Sequence, residues 1–124
     1  MTDFRALAPD ELPLALAALD LAFGGDGHQG SWEVEASVID ADRTLAAFEG
    51  DVPVATGGWY DLRMALPGAV APVAGVTWVS VAPTHRRRGL LTALMTRQLT
   101  DLHEQGRALA ALWASEGAIY GRYG

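Results

Sequence analysis

The stretch VAPTHRRRGLL, residues 81–91, joins a segment typical of a strand to a segment typical of a helix. Residues 76–81 are nearly all β-formers, and Pro83 ends the strand because proline cannot donate to a sheet ladder. Downstream, apolar residues recur at helical spacing as far as Gly106, which suits the end of a helix. They are Leu91, Leu94, Met95, Leu99 and Leu102. The sequence therefore predicts a strand, a turn and a helix, with three arginines in the turn.

The turn contains Arg86, Arg87, Arg88 and Gly89, a composition that favours an anion site. A helix N-terminus presents unpaired N–H groups and a partial positive charge, and phosphate is its usual ligand. Gly89 lets a ligand approach the backbone closely, and arginine adds bidentate contacts to phosphate. An isolated RRRG stretch is more often a solvated basic turn, but the strand-turn-helix context favours a phosphate site. The G-x-x-x-x-G-K-[ST] and G-x-G-x-x-G patterns are both absent.

The chain as a whole is acidic and contains no lysine. Its 124 residues carry nine arginines and 15 acidic side chains, and the formal net charge is −6. A broad basic face for nucleic acid is not expected. An acidic surface attracts cations such as amines, or simply keeps the chain in solution. Because the sequence has no cysteine, no long apolar run, no signal-peptide pattern and no metal-ligand spacing of its histidines, we expect a single cytoplasmic domain without a membrane segment or a metal.

The remaining segments alternate between strand and helix patterns. We expect strands at residues 4–8, 44–49 and 52–60, helices at residues 10–23 and 32–40, and a loop or hairpin tip at residues 63–74. Residues 108–114 are predicted to form a buried strand with Trp113 in the core, and residues 119–123 a last helical turn. The order β-α-α-β-β-β-α-β-α indicates an α/β layer fold in which antiparallel strands precede one β-α-β unit.

The stretch VSVAPTHRRRGLLTALM, residues 79–95, resembles motif A of the GNAT acetyltransferases, which is [RQ]-x-x-G-x-[GA] after a V-x-V-x-P strand. Arg86 and Gly89 match this pattern, whereas Leu91 stands where the family prefers glycine or alanine. With SEGAIYGRYG, residues 115–124, the stretch looks like the enhanced intracellular survival (Eis) branch, where leucine is usual at that position. The resemblance implies a mixed, mostly antiparallel sheet flanked by helices. It also implies that residues 1–124 are an N-terminal acetyl-CoA-binding domain, without its last strands and without the domains that follow in such proteins.

The resemblance further implies roles for particular residues. The arginine turn would hold the pyrophosphate of acetyl-CoA, and the preceding strand would pair with the pantetheine arm. The expected contacts are Trp78, Val79, Val81, Arg86, Arg87, Gly89 and Leu90. Tyr120 would protonate the departing thiolate, with Ser115 lining the thioester. We expect the backbone N–H of Val79 to stabilise the oxyanion, and Asp26 and Trp32 to line the pocket for the amine. Tyr123 is expected to be structural.

These features predict an N-acetyltransferase that moves an acetyl group from acetyl-CoA to a primary amine of a cationic acceptor. The resemblance implies an aminoglycoside-like acceptor or a protein lysine, and it allows a homo-oligomer. One alternative is a hydrolase, because WASEG, residues 113–117, is similar to a G-x-S-x-G elbow, although Trp113 replaces the first glycine. Another is a non-catalytic CoA-binding fragment or interaction module, because the strand at residues 108–114 would leave an exposed sheet edge.

Overall fold

A computed structural model describes residues 3–25, 32–114 and 116–124. The strands are β1 (Phe4–Ala6), β2 (Thr44–Glu49), β3 (Val52–Leu66), β4 (Ala69–Val81) and β5 (Ala110–Leu112). The helices are α1 (Leu12–Ala22), α2 (Trp32–Val38), α3 (Leu90–Glu104) and α4 (Gly117–Tyr120). The predicted order of elements is confirmed. Within the described ranges, no helix is long and apolar enough to cross a membrane.

The five strands form one sheet in the order β1-β2-β3-β4-β5. Strands β1 to β4 are antiparallel neighbours, whereas β5 pairs with β4 in parallel. A parallel pair needs a crossover connection, and α3 supplies it. The predicted mixed, mostly antiparallel sheet with a single β-α-β unit is therefore confirmed.

Helices cover both faces of the sheet. The core on the α3 face consists of Phe4, Leu45, Ala47, Val54, Ala55, Leu90 and Leu94. The core on the α1 face consists of Leu7, Ala15, Leu19, Ile39, Ala41, Ala46 and Trp78. The neighbours Leu45 and Ala46 lie in different cores because side chains alternate between the faces along a strand. Burial on both faces explains why β2 reads as a nearly continuous apolar run.

The predicted loop at residues 63–74 is wrong in its extent. Strands β3 and β4 continue as a hairpin as far as the pair Leu66 and Ala69, so that only Pro67 and Gly68 form the tip. Gly68 has a φ of 77°, which the third position of a type II turn requires. Pro72, which indicated a loop, pairs with Arg63 at a part of β4 that β5 does not reach. Proline is tolerated there because an open strand edge needs no N–H donor.

The predicted buried strand at residues 108–114 is also shorter and more exposed than expected. Pairing with β4 covers only Ala110 to Leu112, of which Ala110 is exposed. Trp113 follows the last paired residue and is fully exposed, at 101% relative accessibility, so its placement in the core was wrong. A short apolar strand has no fixed degree of burial, because burial depends on which elements cover it.

A bulge interrupts β4 just before its end. Ser80 pairs with Thr56 and Thr77 pairs with Gly58, so two residues of β4 lie opposite one residue of β3. The extra residue is Trp78, whose φ is 56°, and its carbonyl accepts a hydrogen bond from the Thr56 hydroxyl at 2.7 Å. A bulge bends its strand and re-aims the side chains that follow, and bulges are frequent beside active sites.

Candidate functional site

A cavity of about 530 Å³ lies where β4, α3 and α4 meet. We call it the cofactor cleft. Strand β5 pairs with β4 only as far as Val76, so the end of β4 has no partner on that side among the described strands. The cleft is lined from three separate parts of the sequence: residues 22–23, residues 79–92 and residues 116–123. An open strand edge next to a helix N-terminus can bind an extended ligand with an anionic end.

The arginine turn forms one end of the cofactor cleft. Arg87 has a φ of 62° and Gly89, the N-cap of α3, has a φ of 77°, so two left-handed residues alternate here. Left-handed residues in a turn are a feature of anion-binding nests, and the first N–H groups of a helix have no partner within the helix. A left-handed conformation costs a residue other than glycine about 1–3 kcal/mol, and residues strained in this way cluster at functional sites.

The three arginines do not share one environment. Arg86 and Arg87 line the cofactor cleft together with Gly89 and Leu90, and their contact with a cofactor stays a prediction. Arg88 instead lines a neighbouring cavity of about 470 Å³, together with Arg5 and Glu49. The sequence could not separate the three arginines, because their directions follow from the backbone torsions of the turn.

His85 connects the arginine turn to the β2–β3 hairpin. Its Nε2 lies 2.6 Å from a carboxylate oxygen of Glu49, and its Nδ1 lies 2.7 Å from the Thr84 hydroxyl. The His85 side chain is only 15% exposed. The hydrogen bond from His85 holds the pKa of Glu49 below its ordinary value. No local sequence signal could predict this contact, since 36 residues separate the partners.

The predicted strand contacts divide between two sides of β4. Val79 and Val81 line the cofactor cleft. The Trp78 side chain is only 5% exposed and packs in the core on the α1 face, so it does not line this cleft. Any contact of Trp78 with an extended ligand would therefore be made by its backbone.

Tyr120, on α4, also lines the cofactor cleft. Burial raises the pKa of its phenol above the ordinary value of 10.0, and Tyr123 and Glu116 raise it further. The hydroxyl of Tyr123 lies 3.1 Å from that of Thr92, which ties the end of the chain to the first turn of α3. Tyr120 therefore remains protonated at neutral pH and can act as a proton donor.

A second, larger cavity of about 790 Å³ adjoins the cofactor cleft. We call it the apolar cavity. Three residues, Phe23, Val79 and Tyr120, line both spaces. The predicted acid, Tyr120, and the predicted oxyanion donor, Val79, thus lie at the boundary between two binding spaces. An enzyme that joins two substrates needs such a boundary, because its reactive groups must reach both.

Three predicted site residues cannot be placed. Asp26 and Ser115 lie outside the described residues, and so does the side chain of Trp32. Glu116 is exposed, is the N-cap residue of α4 and lines the cofactor cleft. Among the described residues, no group of three or more histidine, cysteine, aspartate or glutamate side chains could hold a metal ion.

Comparison with known proteins agrees with this arrangement. The family described as Acetyltransferase (GNAT) domain matches residues 3–124. An uncharacterized N-acetyltransferase of Streptomyces avermitilis is 46% identical over 125 residues, which is 99% of this chain and 31% of that protein. The N-acetyltransferase Eis of Mycobacterium bovis is 46% identical over 94 residues, which is 66% of this chain and 23% of that protein.

Among solved structures, Eis1 from Mycobacterium abscessus superposes with a TM-score of 0.85 at 37% identity, covering 98% of this chain and 30% of that one. The match thus covers between 23% and 31% of the length of these relatives. The match to the family extends over nearly every residue, including the arginine turn, the bulged strand and α4. The chain belongs to the GNAT acetyltransferase family.

Proposed function

We propose that this chain binds acetyl-CoA in the cofactor cleft and forms the acetyl-transferring part of an N-acetyltransferase. The observation that supports this most directly is the boundary formed by Val79 and Tyr120 between the cofactor cleft and the apolar cavity. Membership of the GNAT family supports the reaction class. The proposal extends to residues 1–124 being the N-terminal domain of a longer enzyme, since the chain covers 31% of one relative and 30% of another.

The cofactor cleft fits acetyl-CoA at both ends. The alternating torsions of Arg87 and Gly89 and the N-terminus of α3 suit a pyrophosphate, and the side chains of Arg86 and Arg87 supply positive charge. The open edge of β4 suits the amides of a pantetheine arm. Acetyl-CoA supplies an acetyl group activated as a thioester.

The residues at the boundary suit the needs of acetyl transfer. The attacking nitrogen forms a bond to the carbonyl carbon, the carbon–sulfur bond breaks, and the nitrogen loses its proton to water. The N–H of Val79 would donate to the developing oxyanion. Tyr120, kept protonated by its raised pKa, would give its proton to the departing sulfur.

For the acceptor we propose a primary amine of a cationic molecule. The net charge of −6 supports attraction of cations at long range. An aminoglycoside-like molecule and a protein lysine are the two acceptor classes that the family resemblance implies, and one solved structure of similar fold is that of an aminoglycoside acetyltransferase.

The second candidate is a non-catalytic CoA-binding module. The observation that favours it is the short and partly exposed β5, which leaves an open edge to the sheet among the described residues. The two candidates share the cofactor cleft and differ only in whether acetyl transfer follows binding.

Calorimetric titration of acetyl-CoA tests the cleft, and release of the CoA thiol on addition of a primary amine tests the reaction. Arg86→Ala and Arg87→Ala should each weaken binding about tenfold or more, since each removes a charge-assisted contact. Arg88→Ala is the matched control, because it removes the same charge from a residue outside the cofactor cleft. Equal effects of all three variants would mean that the arginines act only through net charge. Tight binding without thiol release would favour the non-catalytic module.

A further inference from the structure

We propose that the acceptor is a monoamine with an apolar, preferably aromatic body, which the apolar cavity binds beside Tyr120. This inference rests on the proposed N-acetyltransferase function, and it replaces the aminoglycoside-like and lysine acceptors with a third class of primary amine. The apolar cavity shares Phe23, Val79 and Tyr120 with the cofactor cleft, so a molecule held there lies next to the predicted reaction centre.

The walls of the apolar cavity are large apolar and aromatic side chains. Tyr60, Leu62 and Met64 project from one face of β3, since residues two apart along a strand share a face. Phe23 and Trp113 add aromatic surface, at 63% and 101% relative accessibility. Fully exposed tryptophan is unusual, and aromatic groups near a site suit flat apolar ligands. Contact with such a ligand would therefore explain why Trp113 is exposed, which a role in the core would not.

Across the sheet, the apolar cavity is lined by neighbouring residues of three strands. Gly75 of β4 pairs with Tyr60 on one side and with Ala111 of β5 on the other, and all three line the cavity. A Cβ atom at Gly75 would lie 2.6 Å from Cδ1 of Leu62. Because Gly75 has no side chain, Leu62 packs directly against β4, and this contact fixes its position in the cavity wall.

The charge of the lining excludes a polycation more readily than a monoamine. Among the described residues that line the apolar cavity, Arg63 is the one with a charged side chain. Asp61, its acidic neighbour, is engaged by Arg107 at 2.7 Å and by Arg43 at 4.0 Å and does not line the cavity. A polyamine would bring several positive charges against Arg63 and apolar walls, at a desolvation cost. A monoamine can direct its single amino group toward the boundary and bury the rest.

Direct binding tests this class without relying on turnover. The 124-residue chain, saturated with CoA, is titrated with 2-phenylethylamine, spermidine and an Nα-acetyl-lysine amide while tryptophan fluorescence is recorded. We expect 2-phenylethylamine to bind about tenfold more tightly than the other two, since a hydrophobic pocket discriminates by roughly this factor. Its signal should largely disappear in Trp113→Phe.

Two leucines of β3 give a matched pair of variants. Leu62→Ala should weaken binding of 2-phenylethylamine about tenfold, because Leu62 lines the apolar cavity. Leu66→Ala should leave binding unchanged, since Leu66 has a similar exposure on the same strand but does not line the cavity. Arg63→Glu should shift the binding preference of the chain from 2-phenylethylamine toward spermidine.

The outcomes separate the two proposals. If CoA and acetyl-CoA do not bind, the proposed function itself fails. If they bind and spermidine or the lysine amide binds as tightly as 2-phenylethylamine, only the acceptor class is overturned. Equal effects of Leu62→Ala and Leu66→Ala would overturn the assignment of the apolar cavity as the acceptor site.

Discussion

Tyr120 is the side chain on which the proposed chemistry depends most. We predict that Tyr120→Phe lowers kcat by about 10²–10⁴-fold, the usual contribution of a general acid, and leaves the affinity for acetyl-CoA unchanged. Because burial raises the pKa of Tyr120, the loss of activity from its ionisation should begin at a higher pH than for an exposed tyrosine. Thiol release measured across pH, together with calorimetry, checks both statements. Tyr123→Phe is the control, and an equal loss in that variant would contradict the assignment.

Glu11 gives the clearest pH effect on stability. Hydrogen bonds from the Arg5 side chain and from the N–H of Ala8 lower the pKa of Glu11 to about 2, against an ordinary value of 4.5. A lowered folded-state pKa stabilises the fold above pH 4.5, and this contribution is lost as the pH falls from 4.5 to 2. The free energy of unfolding, measured by denaturant titration at several pH values across that range, should depend less steeply on pH in Glu11→Gln than in the parent chain. Glu104→Gln is the control, and its free energy of unfolding should vary with pH as in the parent chain.

Helix α3 is seated on the sheet through a close contact with β3. A Cβ atom at Gly57 would lie 2.9 Å from Cδ1 of Leu94, which is fully buried. We predict that Gly57→Ala lowers the free energy of unfolding by about 1–3 kcal/mol, the usual cost of overpacking a core. Urea denaturation measures this. Gly117→Ala, with open space around the added atom, should change stability far less, and similar losses in both variants would refute the packing argument.

The hairpin between β2 and β3 supports the arginine turn through the Glu49–His85 contact of 2.6 Å. Because Glu49 is exposed, the contribution is that of a surface pair, so Glu49→Ala should raise the Kd for acetyl-CoA by up to about fivefold. The value of kcat should not change, since neither side chain reaches the boundary at Tyr120. Asp51→Ala, in the turn of the same hairpin, is the control. A fall in kcat without a change in affinity would contradict a positioning role.

The walls of the cofactor cleft come from three distant parts of the chain: residues 22–23, 79–92 and 116–123. Binding of acetyl-CoA should therefore stabilise these parts together. Acetyl-CoA at 100 times its Kd should raise the free energy of unfolding by about 2.7 kcal/mol. It should also slow amide hydrogen exchange in α4 as well as in the arginine turn. Protection confined to residues 86–92 would show that α4 does not take part in binding.

Local signals in the sequence were sufficient for most elements. The spacing of Leu94, Met95 and Leu102 predicted α3, and all three are buried. The sequence does not show which of several side chains of the same type will be buried and which will be exposed. Gln98, also on α3, is 2% exposed and donates to the carbonyl of Gly58 at 3.0 Å, although a polar residue carries no local sign of burial.

The sequence by itself determined the order of elements, the strand–arginine turn–helix unit and the family to which the chain belongs. These follow from periodicity, turn chemistry and a short motif, which act over a few residues. The tertiary structure alone decided the extent of the β3–β4 hairpin, the exposure of Trp113 and the boundary at Tyr120 between two cavities. Each depends on which strand lies beside which and where β4 and β5 stop pairing, and contacts between segments far apart in the chain set both.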